Sequence, residues 1–301
     1  MTVSLSHAFR QGPCLRLLFH VAAGSLVRAS ASEIPLTPGP VYTDVLSARS
    51  PSLLSDYIEW TGGETAAYNG TIPPHFFAQW SFPLLFKALG STPWPLSRIL
   101  NQGCRLRSLK PLPADEPLVI TAHLSDIDVT PSKARITTRL ITGTQSTPEA
   151  IVADVYAVVP LKKREGKVRR ARPLVSDDGQ RLSEHALTTR SGLDFALLTG
   201  DFNPIHWIGP YARRAGFQST ILHGFASLSL AWESIVATHC DGDPDGVKVM
   251  DVRFVRPLHL PTEVGVFSSP RDDGTHRIDV GTAVGGESYM TGTFELRRDN
   301  E

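Results

Sequence analysis

Apolar and polar positions along the chain follow one pattern twice. The segment from Pro74 to Leu89 is long and apolar, and a second of the same kind runs from His223 to Thr238. Both are too long for a strand and lack strict alternation, so both predict buried helices. Pro83, inside the first, predicts a kink or a shifted boundary there. Shorter runs with strand character follow each segment: Leu118 to Leu124, Ala134 to Ile141 and Ile151 to Val159, then Val247 to Val255, Glu263 to Ser268, His276 to Val284 and Tyr289 to Leu296. Asp273-Gly274 and Gly285-Gly286 are two-residue turn pairs, which argues for antiparallel meanders instead of crossover units.

The repetition extends to individual residues. The C-terminal copy reads Leu193-Asp194-Phe195-Ala196-Leu197-Leu198-Thr199-Gly200-Asp201, then His223-Gly224-Phe225, then Arg253-Phe254-Val255-Arg256-Pro257-Leu258. The fainter N-terminal copy reads Ser55-Asp56-Tyr57-Ile58-Glu59-Trp60-Thr61-Gly62-Gly63, then His75-Phe76-Phe77, then Arg107-Ser108-Leu109-Lys110-Pro111-Leu112. One buried helix followed by a strand meander, twice over, predicts an α+β fold in which a sheet wraps each helix and the two units pair through their sheets. The boundaries that follow are an N-terminal extension over 1–45, a first unit over 46–160, a basic linker over 161–175 and a second unit over 176–301. Trp80, Phe82, Leu84, Leu85 and Phe86 read as core of the first unit, with a further, ligand-lining role as the alternative.

Composition narrows the function classes. The 301 residues are 41% hydrophobic and 20% charged, enough for two units of ordinary size. Lys plus Arg and Asp plus Glu both number 30, so no global field recruits nucleic acid or an anionic membrane. Cys14, Cys104 and Cys240 are widely spaced and odd in number, as expected for reduced thiols in the cytoplasm. Residues 1–32 hold no acid but carry Arg10, Arg16, Arg28 and Ala29-Ser30-Ala31, which invites a targeting reading. Arg16 and His20 interrupt the apolar run from Cys14 to Val27, and no stretch reaches the ~20 apolar residues of a membrane span, so a short packed helix is expected instead. Lys162, Lys163, Arg164, Lys167, Arg169, Arg170 and Arg172 oppose only Glu165 in the linker, which is either a solvated connection or a docking surface for a polyanionic carrier.

The stretch richest in chemistry is Thr199-Gly200-Asp201-Phe202-Asn203-Pro204-Ile205-His206, followed by His223-Gly224. Locally it is a turn, and Asp and Asn serve turns by bonding nearby backbone. A carboxylate and an imidazole across such a loop can also face one cavity, as an acid–base pair acting on water requires. Gly224 would open the second helix, where its amide is unpaired within the helix and at the positive end of the dipole. Aligning Thr61-Gly62 with Thr199-Gly200 puts Gly63 opposite Asp201 and Tyr68 opposite His206, so only one copy keeps the pair.

These residues, from Phe195 to Ala231, resemble the MaoC-like (R)-specific enoyl-thioester hydratases and 3-hydroxyacyl-thioester dehydratases of the hydratase 2 type. The resemblance implies a double hotdog, a degenerate N-terminal one and a catalytic C-terminal one, and a hydro-lyase acting reversibly on trans-2-enoyl thioesters in fatty acid metabolism. It makes Asp201 and His206 the catalytic pair that holds water, Gly224 the oxyanion-hole amide, Asn203 an orienting group, and assigns His223 and Phe225 with Asn203 to substrate binding. Some single-domain members have serine eight residues after the glycine; here that position is Trp232. No cofactor or metal is implied, the acyl group being carried on coenzyme A or an acyl carrier protein, by a monomer or homodimer. The alternatives are a metal site of Asp201, His206 and His223, a hotdog thioesterase, and a non-catalytic acyl-thioester binding module.

Overall fold

The computed structural model describes residues 3–11, 33–161 and 172–298. A short 3₁₀ turn, Leu5–Arg10, comes first. The first half then runs β1 (Tyr42–Leu46), α1 (Pro51–Thr61), β2 (Thr71–Ile72), a 3₁₀ turn Pro74–Phe77 leading straight into α2 (Ala78–Leu89), β3 (Leu100–Ser108), β4 (Leu112–Pro113), β5 (Leu118–Thr130), β6 (Lys133–Gly143) and β7 (Ile151–Pro160). In the second half come β8 (Gln180–Leu187), α3 (Ser191–Thr199), a 3₁₀ turn Pro204–His206, α4 (Gly209–Arg214), α5 (Gly224–His239), β9 (Val247–Phe254), β10 (Thr262–Pro270), β11 (His276–Gly281) and β12 (Ser288–Leu296).

Ten strands form one antiparallel sheet in the order β1-β5-β6-β7-β3-β9-β12-β11-β10-β8, with β2 and β4 as a separate small pair. Taken from either end inward, the order repeats: β1 and β8 are outermost, and β3 and β9 meet in the middle. This is the double hotdog implied by the sequence, each half of the sheet curling around its own helix. In β5 the inward positions Leu118, Ile120, Ala122 and Leu124 are buried while their neighbours are wetter, the period-2 pattern of a sheet packed on one face. Along α5 every residue from Phe225 to Val236 is buried, which explains the absence of a polar face. One apolar cluster joins Phe76, Phe77 and Trp80 of the first half to Phe195, Phe225 and Trp232 of the second. Trp80, Leu84 and Leu85 thus lie in the core, while Phe82 packs on its margin.

Several details depart from the expectations. The α-helix begins at Ala78, not Pro74, because a 3₁₀ turn occupies the first four residues, and it runs through Pro83. Tyr42–Leu46, within the stretch expected as an extension, pairs along its length with β5. The expected linker reached 175, yet Val175 N–H donates to Gly286 O and Leu174 bridges Glu287, so the chain has rejoined the sheet by Leu174. Residues 12–32, with the expected packed helix, and 162–171, with most of the basic run, lie outside the described residues. Gly274 and Gly285 turn with positive φ, as the hairpin pairs predicted.

Joining the two halves rests on β3 and β9, paired from Gly103↔Arg253 to Arg107↔Val249. Gly103 has φ 131° at an irregularity of β3, and a Cβ there would stand 2.0 Å from Val252 O. Backbone strain and overpacking at such a place cost ~2–4 kcal/mol in total. Gly103→Val is expected to destabilise the protein by about that much, read as a lower urea midpoint.

Candidate active site

The site is assembled from the end of α3, the loop after it, and the start of α5. Apolar Leu193 and Phe195 to Leu198 hold α3 against the core, and Gly200 ends it with φ 82°, its N–H donating to Ala196 O at 2.8 Å. Near the start of α3, a Cβ on Gly192 would lie 1.9 Å from His206 O, so glycine there lets the loop return against the helix. Asp201 Oδ1 accepts from Asn203 N–H at 3.3 Å. Asn203 Oδ1 in turn accepts from Ile205 N–H, capping the turn Pro204–His206 with proline at its first position. Asn203 therefore shapes the loop that carries His206.

His206 Nδ1 lies 2.8 Å from Ile221 O. A carbonyl only accepts, so Nδ1 carries the proton and Nε2 keeps its lone pair. By the same reasoning His223 Nε2–H donates to the backbone carbonyl of Asp201 at 2.9 Å, pinning that residue's main chain to the start of α5. The two imidazoles stack with centroids 3.6 Å apart at 24°, and Phe195 packs on His223 at 5.0 Å. Asp201, His206 and His223 bring ligand-type atoms within 4.8 Å of one another. Gly224 opens α5, so its N–H has no acceptor inside the helix. The Phe254 ring covers the place a Cβ would take there, at 2.5 Å. Phe225 faces the core, edge-on to Phe77 at 5.1 Å and to Phe254 at 5.8 Å.

Burial governs the charges. It pushes the Asp201 carboxyl up from its ordinary 3.8, opposed by the neighbouring His206 and the Asn203 N–H. It pushes His206 down from 6.5, opposed by Asp201, and His223 well below 6.5, with His206 adding to the effect. The shifts therefore favour neutral rings at both histidines, while the Asp201 charge is held by His206 and the Asn203 N–H against the cost of its burial. Each ring keeps one nitrogen clear of its bond to a carbonyl, His206 Nε2 and His223 Nδ1, the latter buried without a hydrogen-bond partner. Asp201, whose side chain is 23% exposed, and His206 Nε2 remain as hydrogen-bond acceptors.

The equivalent place in the first half is closed. Gly62, with φ 88°, matches Gly200 when the two halves are aligned in sequence, which puts Gly63 opposite Asp201 and Tyr68 opposite His206. The carboxylate there comes from α5: Glu233 Oε1 accepts from Tyr68 OH at 2.8 Å and from His75 Nε2–H at 3.0 Å. His75 is 0% and Glu233 3% exposed, and a Cβ on Gly63 would meet the Glu233 carboxyl carbon at 2.5 Å. Tyr57 OH bonds His75 Nδ1 at 2.9 Å and Ser229 Oγ at 2.7 Å. Trp232 packs its ring 5.9 Å from His75. Sequence reasoning passed over Glu233, although it is the single charged residue in the apolar run of α5.

A family model described as "MaoC like domain" matches residues 177–284, which include Asp201, His206 and Gly224. Over that stretch the chain is similar to MaoC-like domains. Over 58 residues it is 43% identical to a peroxisomal enoyl-CoA hydratase 2 of Arabidopsis thaliana, covering 19% of each chain. Over 165 residues it is 28% identical to 3-hydroxyacyl-thioester dehydratase Y of Mycobacterium tuberculosis, covering 52% of this chain and 56% of that one. These matches span less than two thirds of the relatives' own length. A MaoC-like dehydratase of Phytophthora capsici superposes with a TM-score of 0.72 at 18% identity, over 87% of this chain and 96% of that one, and so shares the fold. Among the described residues no helix is long and apolar enough to cross a membrane.

The electrostatics of the site can be checked by titrating the imidazoles with NMR. Both His206 and His223 are expected to protonate only below pH 6.5, His223 last as the pH falls. Asp201→Asn removes the charge that holds His206 up and is expected to lower its midpoint further; a midpoint that stays or rises contradicts the arrangement.

Proposed function

We propose that the protein is a hydro-lyase that reversibly adds water to trans-2-enoyl thioesters, giving (R)-3-hydroxyacyl thioesters in fatty acid metabolism, with the acyl group on coenzyme A or an acyl carrier protein. The observation that carries this reading is the pair of acceptors, Asp201 Oδ and His206 Nε2, beside the unpaired amide that opens α5. The names of the relatives support the same chemistry.

One water gives a hydrogen bond to each acceptor. Its oxygen attacks C3 of the enoyl group while one acceptor takes its proton, and electron density moves through C2 to the thioester oxygen. The Gly224 N–H, at the positive end of α5, stabilises that oxygen; one such donor is typically worth ~2.7–4 kcal/mol. The proton then passes to C2, so the atoms of one water are added across the double bond. In dehydration the same steps run in reverse. His223 and Asn203 hold Asp201 and His206 in place, Phe225 backs the site from the core, and no cofactor or metal takes part. Reduced Cys104 and Cys240 suit a reducing compartment, the cytoplasm in this reading.

Loss of enoyl-thioester absorbance with crotonyl-CoA and a longer trans-2-enoyl-CoA is the direct assay. Asp201→Asn and His206→Ala are each expected to lower kcat/KM by about 10²–10⁴-fold with the fold retained. Full activity in either variant overturns the assignment of the pair.

The pH dependence follows from the charges. Catalysis requires Asp201 ionised and His206 neutral, and protonating either stops it. Burial raises the first above 3.8 and lowers the second from 6.5, so kcat/KM is expected to fall on the acid side with a midpoint above 3.8, set by whichever group protonates first as the pH falls. An acid limb centred below pH 3.8 contradicts this.

A further inference from the structure

The segment 3–11 precedes both halves, yet it lies across both. Val3, His7 and Gln11 turn inward at 1%, 2% and 1% exposure. His7 Nε2 lies 2.6 Å from Asp56 Oδ2 on α1. Arg190, which pairs with Asp194 of α3, also donates to Val3 O at 3.2 Å. The segment therefore spans the two helices α1 and α3, which occupy matching places in the two halves.

Gln11 makes the most specific of these contacts. Its amide nitrogen donates to both Leu197 O and Leu198 O at 3.1 Å. Those carbonyls belong to the last turn of α3, where the αL turn at Gly200 ends the helix and removes their usual acceptance of N–H groups further on. Asp201 comes three residues after Leu198. On its other side, Gln11 Oε1 accepts from Gln79 Nε2 at 2.9 Å, and Gln79 Oε1 accepts from Arg49 Nη1 at 3.0 Å. A guanidinium only donates, so it fixes which way Gln79 faces; Gln79 then fixes Gln11, and Gln11 presents its N–H groups to α3. The chain of amides runs from the first half to the exit of the helix that delivers the catalytic carboxylate.

We infer that Gln11 is a positioning residue for Asp201, holding the end of α3 so that the carboxylate keeps its place beside His206. The inference rests on the hydratase reading for its effect on turnover, but the contact itself does not. Deleting both donors while keeping side-chain length leaves two buried carbonyls unpaired, and the end of α3 must move to find other partners. Misplacement by about 1 Å can cost up to ~10²-fold in rate.

The test is Gln11→Met, assayed well below its melting temperature with wild type, and with Arg49→Met as a milder variant that removes the guanidinium donor to Gln79 Oε1. The expected result is a kcat lowered about tenfold in Gln11→Met and less in Arg49→Met, with KM for enoyl-CoA within about twofold. In the same samples the His223 NMR titration is expected to shift, because His223 bonds the Asp201 carbonyl. Unchanged kcat and unchanged His223 titration in folded Gln11→Met, with only a lower melting temperature, assign Gln11 to stability alone and overturn the inference. If wild type itself hydrates no enoyl thioester, the functional reading fails, and His223 decides the positioning claim by itself: a shifted titration supports it and an unchanged one overturns it. Should Gln11→Met not fold, Arg49→Met decides by the same measurements.

Discussion

A helix buried on every side must find partners inside the protein for each polar group it carries. That constraint falls hardest on α5, which is enclosed from Phe225 to Val236 and yet holds Ser227, Ser229, Glu233 and Ser234, along with Trp232, whose Nε1–H is the exception and lies buried without an acceptor. Ser229 and Ser234 return their hydroxyls to carbonyls one turn back, at 2.8 and 2.7 Å, and also reach Tyr57 and Ser183. Glu233 cannot be satisfied by its own helix and draws Tyr68 and His75 from the other half. The start of the helix, where backbone amides are left over, is the part that lies beside Asp201 and His206. Wrapping the helix thus organises both polar centres, one at its tip and one along its length.

Much of the architecture was legible because burial leaves a mark on residue type. The long apolar runs that became α2 and α5 exceed strand length, and the inner strands β5 to β7 carry dense apolar positions. The edges were harder: β1 and β8 are half-exposed, their side chains split between core and water, so they read like loops. The start of α2 was misplaced because nothing in Pro74-His75-Phe76-Phe77 distinguishes a 3₁₀ turn from the first turn of an α-helix.

Asp201 and His206 were legible for a different reason, being close in sequence and set in a turn whose residue types constrain it. What holds them was not. Gly192 matters only because His206 comes back against it, and Gln11 only because the segment 3–11 crosses to the far helix. Such contacts join residues far apart in the chain and leave no local pattern. Glu233 lies between these cases: a lone acid in an apolar helix signals a buried partner, but which one depends on how the halves are joined.

The closed centre in the first half also bears on how the two copies could diverge. Gly63 has no side chain, and the space beside it is taken by a carboxylate that arrives from the other copy. An aspartate regained at position 63 would force two acids into one dry enclosure, where both cannot stay ionised. With Glu233 in place, position 63 accepts no side chain unless that carboxylate moves, so an acid could stand there only together with a change at Glu233. The geometry of a single shared helix thereby ties one position of the first half to one of the second.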